Sequence, residues 1–155
     1  TDCLLQAGAR RVVAVDVGYG QLHPRLRADP RVAVLERTNF RTVDPARVQA
    51  AAGAPFELAV VDASFISATL LLPRVVAVAP GAELLVLVKP QFEVGPERVG
   101  KGGVVRDDAL RADAVHRVRE AAAALGLAAG GIAESRLAGP KGNREVFLRL
   151  LPSGG

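Results

Sequence analysis

Lys89 follows five consecutive apolar residues, Leu84-Leu85-Val86-Leu87-Val88, and is followed at once by Pro90. An unbroken Leu/Val run of that length reads as a strand buried on both faces, inside a parallel sheet. Proline has no N–H to give a sheet ladder, so the strand stops there. Lys89 therefore falls at the carboxyl end of an interior strand, where open α/β sheets bind ligands. A lysine so placed either snorkels to solvent or does chemistry. Partly desolvated beside a carboxylate, an amine can be held and tuned to take a proton from a hydroxyl. Asp62, ending the strand read over residues 58–61, is the nearest such carboxylate in this pattern. Glu145 opens the last strand and can approach the same edge.

Two further strands end in acids, Asp16 after residues 11–15 and Glu36 after residues 32–35. In a parallel sheet these endings share one edge with Asp62 and Lys89. Three acids and one base in register make a site a better reading than four solvated strand ends. An acid in the position of Asp16 suits bidentate hydrogen bonding to ribose hydroxyls. Gly18-Tyr19-Gly20 does not make a dinucleotide fingerprint, because it follows the second strand of the unit and lacks a third glycine. Arg37, Arg41, Arg98, Lys101, Lys141 and Arg144 lie in loops or beside strand ends, where they can hold phosphates or simply keep the surface soluble. His23 and His116 form neither a metal nor a triad pattern, and His116 falls off the apolar stripe of its helix. Ser64 and Ser67 lack the glycines of a nucleophile elbow.

The elements that must carry these residues alternate. After an opening helical stretch closed by Gly8, strands are expected at residues 11–15, 32–35, 58–61, 84–88, 132–135 and 145–151. Helices are expected at 21–28, at 45–53 behind an Asp44 N-cap, at 67–78 and at 107–125. In the last of these, Leu110, Ala114, Val118, Ala121 and Leu125 recur at helical spacing. Residues 95–103 hold four glycines and read as a loop. This alternation implies an α/β fold, a mostly parallel sheet with helices on both faces. The chain of 155 residues suits one domain. Half its residues are hydrophobic but only 4% are aromatic, so the core must be Val, Leu and Ala. The net charge of +4 favours a polyanionic partner without settling it. Cys3, the single cysteine, excludes a disulfide framework and a cysteine metal site and fits a reducing compartment. No apolar run reaches the length of a membrane span.

Six stretches together resemble one family: Val-Asp-Val-Gly-Tyr-Gly-Gln-Leu (15–22), Glu-Arg-Thr-Asn (36–39), Asp-Ala-Ser-Phe-Ile-Ser (62–67), Val-Lys-Pro-Gln-Phe-Glu (88–93), Gly-Gly-Val-Val-Arg-Asp (102–107) and Gly-Pro-Lys-Gly-Asn-Arg-Glu (139–145). They are similar to the TlyA, or haemolysin A, family of ribosomal RNA 2′-O-methyltransferases with an FtsJ-like domain, and they cover nearly the whole chain in order. Ala63 stands where valine is usual and Arg136 where proline is common, both away from the chemistry. The resemblance implies a Rossmann-like methyltransferase fold using S-adenosyl-L-methionine, with ribosomal RNA or a ribosomal subunit as partner, no metal, no membrane and a cytoplasmic location. It implies a methyltransferase domain over residues 1–151 and a tail at 152–155. The first strand and an RNA-binding S4 domain are expected upstream.

Of the family's Lys-Asp-Lys-Glu pattern, Asp62, Lys89 and Glu145 match the last three members. Lys89 is implied to activate the ribose 2′-hydroxyl, with Asp62 and Glu145 orienting it. Asp16, Glu36, Arg37, Asn39 and Asp62 are implied cofactor contacts, and Arg98, Lys101, Lys141 and Arg144 RNA contacts. Two other readings stand beside this one: a noncatalytic RNA-binding remnant, and a membrane-active haemolysin, which lacks support from any strongly amphipathic basic helix.

Overall fold

The computed structural model describes residues 1–139 and 141–153; Pro140 and the last two residues of the expected tail lie outside it. Helix α1 (Asp2–Gln6) leads into strand β1 (Val12–Val15), the short helix α2 (Pro24–Arg27) and strand β2 (Val32–Leu35). Helix α3 (Pro45–Ala52) starts as its sequence requires. The Asp44 side chain accepts from the Ala46 N–H, Pro45 takes the first turn, and Gly53 closes the helix at φ +72°. Strand β3 (Leu58–Val61), helix α4 (Leu72–Val78), strand β4 (Glu83–Val88), helix α5 (Pro90–Glu93), helix α6 (Asp108–Ala123) and strands β5 (Leu127–Glu134) and β6 (Val146–Pro152) complete the chain. The 16-residue α6 is capped by Asp107, which accepts from the Ala109 N–H, and it buries Ala114, Val115, Val118 and Ala122.

The Rossmann-like α/β expectation holds, but its arrangement is more mixed than a mostly parallel sheet. β1 pairs in parallel with β2, and β3 in parallel with β4. β6 is antiparallel to both β4 and β5, which gives a four-stranded order β3-β4-β6-β5. The reason lies in the connection. No helix intervenes between β5 and β6, and only a crossover of the βαβ kind returns a strand in the parallel sense. β5 is also longer than the expected 132–135. Ala128 to Gly131 are poor strand formers taken alone, and their pairing with β6 imposes the conformation, with a register shift between Ala129 and Gly131. The expected helix over 67–78 is broken into a 3-10 turn (Ala68–Leu70) and α4, because Pro73 suits only a helix start. The helix expected over 21–28 is confined to α2, entered through His23, whose Nδ1 accepts from the Arg25 N–H.

β4 runs between β3 and β6, with Leu84, Val86 and Val88 fully buried and the alternate residues half-buried. With Leu72, Leu148, Leu150, Val118 and Ala114 they form the main core. A smaller cluster of Val43, Val48 and Val78 supports β1 and β2. β1 and β3 are not paired with one another. Their facing edges line a cleft of about 710 Å³, walled by Val13, Val15, Ala59 and Val61 and mouthed by Asp16 and Asp62. Leu58 and Val60 on this edge are 39% and 45% exposed, far more than sheet-interior residues.

Candidate active site

Lys89 directly follows β4 and immediately precedes α5, without a capping bond from its side chain. Its side chain is only 12% exposed, and its Nζ pairs with Asp62 Oδ1 at 2.7 Å. It also donates to Ser64 Oγ at 3.0 Å. The two segments meet because β3 and β4 run in parallel, with Val61 opposite Val86, so both strands deliver their next residues to the same edge. Lys89 is thus not a snorkelling side chain. Its nearly buried amino group is held between two oxygen acceptors, with Asp62 facing solvent at 61% exposure.

Glu145 reaches that edge through the antiparallel neighbour. Val88 pairs with Val146, which places Lys89 and Glu145 across from one another at the strand ends. Glu145 is buried, but no ion pair joins it to Lys89 among the described residues. Its position is set by its own loop. Glu145 Oε1 lies close against Gly139, where a Cβ would come within 2.6 Å of it, so a larger residue there would push the Glu145 carboxyl aside. Asn143, also buried, accepts from the Val105 N–H and donates to the Gly103 carbonyl, clasping this loop to the one before α6.

Sequence reasoning missed two residues at this edge. Phe65 is 92% exposed and sits at φ +65°. For a bulky residue that conformation costs on the order of 1–3 kcal/mol and calls for a function. Its ring contacts Phe92 with centroids 5.5 Å apart. An aromatic that faces solvent, next in the chain to the Ser64 that Lys89 bonds, offers a surface on which a base can stack. No composition or spacing signal separates such a phenylalanine from a core one. Glu93 is the second. It is 7% exposed, accepts from Ser67 Oγ at 2.5 Å and from the Ala68 N–H at 2.7 Å, and its burial pushes its carboxyl above the usual range. Its place at the end of a quoted motif was the available signal.

The other wall of the cleft carries the expected cofactor residues, with unequal freedom. Asp16 Oδ1 accepts from the Gly18 N–H at 2.6 Å, and Oδ2 has no protein partner among the described residues. An exposed carboxylate with one oxygen to spare at the mouth of an apolar cleft fits a ribose diol. Glu36 is already committed: it pairs with Arg27 and accepts from the Gly20 N–H, and the guanidinium holds its carboxyl below the usual range. It fastens the turn after β1. Arg37, at φ +49°, lies over the Tyr19 ring at 4.5 Å. Asn39 Oδ1 accepts from the Arg41 N–H and so shapes the turn before α3. Of this set, Asp16 keeps a carboxylate oxygen without a partner among the described residues, while Glu36, Arg37 and Asn39 are engaged in the turns around it.

The basic residues are scattered. Arg144 is bound to both oxygens of Glu134 at 2.8 and 2.7 Å, and Arg98 donates to Asp113 at 3.2 Å. Lys101 and Lys141 are exposed, and Lys141 lies over the loop at Gly103. Among the described residues no group of three His, Cys, Asp or Glu could hold a metal, and no helix is long and apolar enough to cross a membrane.

Comparison with known proteins gives concordant matches. Residues 1–150 match the family described as FtsJ-like methyltransferase. The 16S/23S rRNA (cytidine-2′-O)-methyltransferase TlyA of Mycobacterium tuberculosis is 52% identical over 97% of this chain, which covers 55% of that protein. Hemolysin A of Brachyspira hyodysenteriae is 36% identical over 97% of this chain and 62% of its own length. A solved structure from Lactococcus lactis, described as that of a candidate hemolysin, superposes with a TM-score of 0.92 at 37% identity, covering 99% of this chain and 72% of that one. The chain spans about half the length of the TlyA relative.

Proposed function

We propose that this chain, which belongs to the FtsJ-like methyltransferase family, is the catalytic part of an enzyme that methylates ribose 2′-hydroxyls of ribosomal RNA from S-adenosyl-L-methionine. The observation that carries the reading is the Lys89–Asp62 pair at 2.7 Å, on the edge whose cleft also opens on Asp16. The activity of the Mycobacterium tuberculosis relative, 2′-O-methylation of rRNA cytidine, supports the substrate class. S-adenosylmethionine, when bound, supplies an electrophilic methyl group on a positively charged sulfur. Lys89 would take the proton from the 2′-hydroxyl, so that this oxygen could accept the methyl group that the cofactor would supply, leaving a neutral sulfide behind. Asp62 and Ser64 fix the amine, and Glu145 supports the local charge balance from the neighbouring strand. Asp16 holds the cofactor ribose. Phe65 offers the acceptor base a stacking face, and Lys101 and Lys141 meet phosphates, with Arg98 and Arg144 able to exchange their carboxylate partners for the same role.

An RNA-binding S4 domain elsewhere in the full protein is part of this proposal, as is a cytoplasmic location beside the ribosome. The test is transfer of labelled methyl to ribosomal subunits by the complete protein, followed by alkaline hydrolysis of the product. A methylated 2′-oxygen cannot attack its own 3′ phosphodiester, so the labelled linkage must survive alkali. Label on a base, leaving every linkage cleavable, overturns the reading. RNA binding with no transfer favours the noncatalytic alternative.

A further inference from the structure

Two short segments run side by side behind the site, residues 62–68 and residues 89–93, and three contacts join them. At the open end, Lys89 meets Asp62 and Ser64. In the middle, Phe92 meets Phe65. At the closed end, the Glu93 carboxylate takes the Ser67 hydroxyl at 2.5 Å and the Ala68 N–H at 2.7 Å. The first two contacts involve residues open to solvent, since Asp62 and Phe65 are 61% and 92% exposed. Only the third is buried, with Glu93 at 7%.

We infer that Glu93 is a positioning residue for methyl transfer: it pins the 62–68 loop and so holds Asp62, Ser64 and Phe65 in place against Lys89 and the acceptor nucleoside. The inference rests on the catalytic reading above. The bonds are short and specific. Ser67 has one hydroxyl proton and spends it on Glu93, so the Thr69 hydroxyl, 2.6 Å away, must donate to Ser67 in turn. Glu93 itself is held from behind, because Arg117 of α6 donates to its backbone carbonyl at 3.2 Å. The loop it pins includes Phe65 in its left-handed conformation, which relaxes unless the surrounding bonds prevent it. A loop freed at this end moves its carboxylate and its ring together, and displacement of about 1 Å at a reacting centre can cost on the order of a hundredfold in rate.

The test compares Glu93→Ala, Glu93→Gln and Ser67→Ala with wild type and Lys89→Ala in the complete protein, by single-turnover transfer to ribosomal RNA at saturating cofactor. Glutamine can accept from Ala68 and donate to Ser67, so E93Q should stay within about threefold of wild type, while E93A should fall at least tenfold with cofactor affinity unchanged. S67A, losing one bond of two, should fall between them and serves in place of E93A if that variant does not fold. Amide exchange at Ala68, and the amide shifts of Asp62 and Ser64, should change in E93A and not in E93Q. E93A at wild-type rate, or S67A at wild-type rate where E93A does not fold, would overturn the inference. So would unchanged exchange and shifts in E93A, a readout that stands even without turnover. An inactive wild type, or a fully active Lys89→Ala, would instead overturn the catalytic reading.

Discussion

The four-stranded sheet and the β1–β2 pair end on the same cleft, but they are built to different standards. At the end of β3 and β4, Lys89 is nearly enclosed, and its neighbours are fixed by buried bonds from Glu93 and, on the next strand, by the packing of Glu145 on Gly139. At the end of β1 and β2, Asp16 is exposed, and Glu36 and Asn39 spend their side chains on local turns. The Lys89 side, proposed to face the acceptor, is therefore held by buried contacts, and the Asp16 side, proposed to face the cofactor, is an exposed wall of the cleft. A base must be held to a fraction of an ångström, whereas a ribose clasp tolerates more play.

The comparison breaks most easily at Lys89. Lys89→Ala should reduce methyl transfer by at least the ~10²-fold expected for loss of a general base, about 2.7 kcal/mol or more. Cofactor affinity should persist, because the lysine is proposed to face the acceptor. Lys89→Arg should not rescue, since a guanidinium does not give up its proton. Single-turnover methylation with isothermal titration of the cofactor separates these outcomes. An arginine variant of near-normal rate would reduce Lys89 to a source of positive charge.

The same contrast should appear in stability. Val86 is fully buried in β4, while Val13 in β1 is half-buried beside the open cleft. Val86→Ala should cost about 2–3 kcal/mol, transfer and cavity terms together, and Val13→Ala about 1 kcal/mol. Urea denaturation of the two variants measures both. Equal losses would mean the two sheets share one core.

How the site could be read in sequence follows from what each residue depends on. Lys89 and Asp62 announce themselves because each ends an apolar run, and strand ends are visible in hydropathy alone. Asp44 and Asp107 were legible as caps for the same local reason. The antiparallel return of β6 was not legible, since it depends on a loop that contains no helix and on which edge β6 inserts into. Glu36 was legible as a strand end, but its pairing with Arg27 was not, since an expected helix over 21–28 does not say which of its side chains reaches that edge. Phe65 was hidden because exposure and a left-handed φ are tertiary facts, carried by bonds from Glu93 and not by the residue itself.

Asp16 comes next in expected size. Asp16→Ala removes the proposed charge-assisted contact to the cofactor ribose and should weaken S-adenosylmethionine binding by about 1–3 kcal/mol in the complete protein. At saturating cofactor the transfer rate should recover, which is the opposite of the Lys89 pattern. Unchanged affinity by calorimetry would remove Asp16 from the site and leave the turn after β1 as a purely structural feature.

The smallest effect tests the cleft itself. Val60 sits on the unpaired edge of β3 and is 45% exposed. Val60→Thr keeps the shape and adds a hydroxyl. If the edge is open to water, that hydroxyl is hydrated and the stability of this chain should change by no more than about 0.5 kcal/mol. If another segment covers the edge, the hydroxyl is buried without a partner and costs about 1–3 kcal/mol. The same substitution in this chain and in the complete protein therefore reports, by urea denaturation, whether the edge is covered in each. A loss confined to the complete protein would show that the wall facing Asp16 is finished by residues outside this chain, and that the looser half of the site becomes rigid only there. A loss of similar size in both would show that the β1–β3 cleft is already closed in the isolated chain, and the contrast between the two sheets would then lie in their side chains alone.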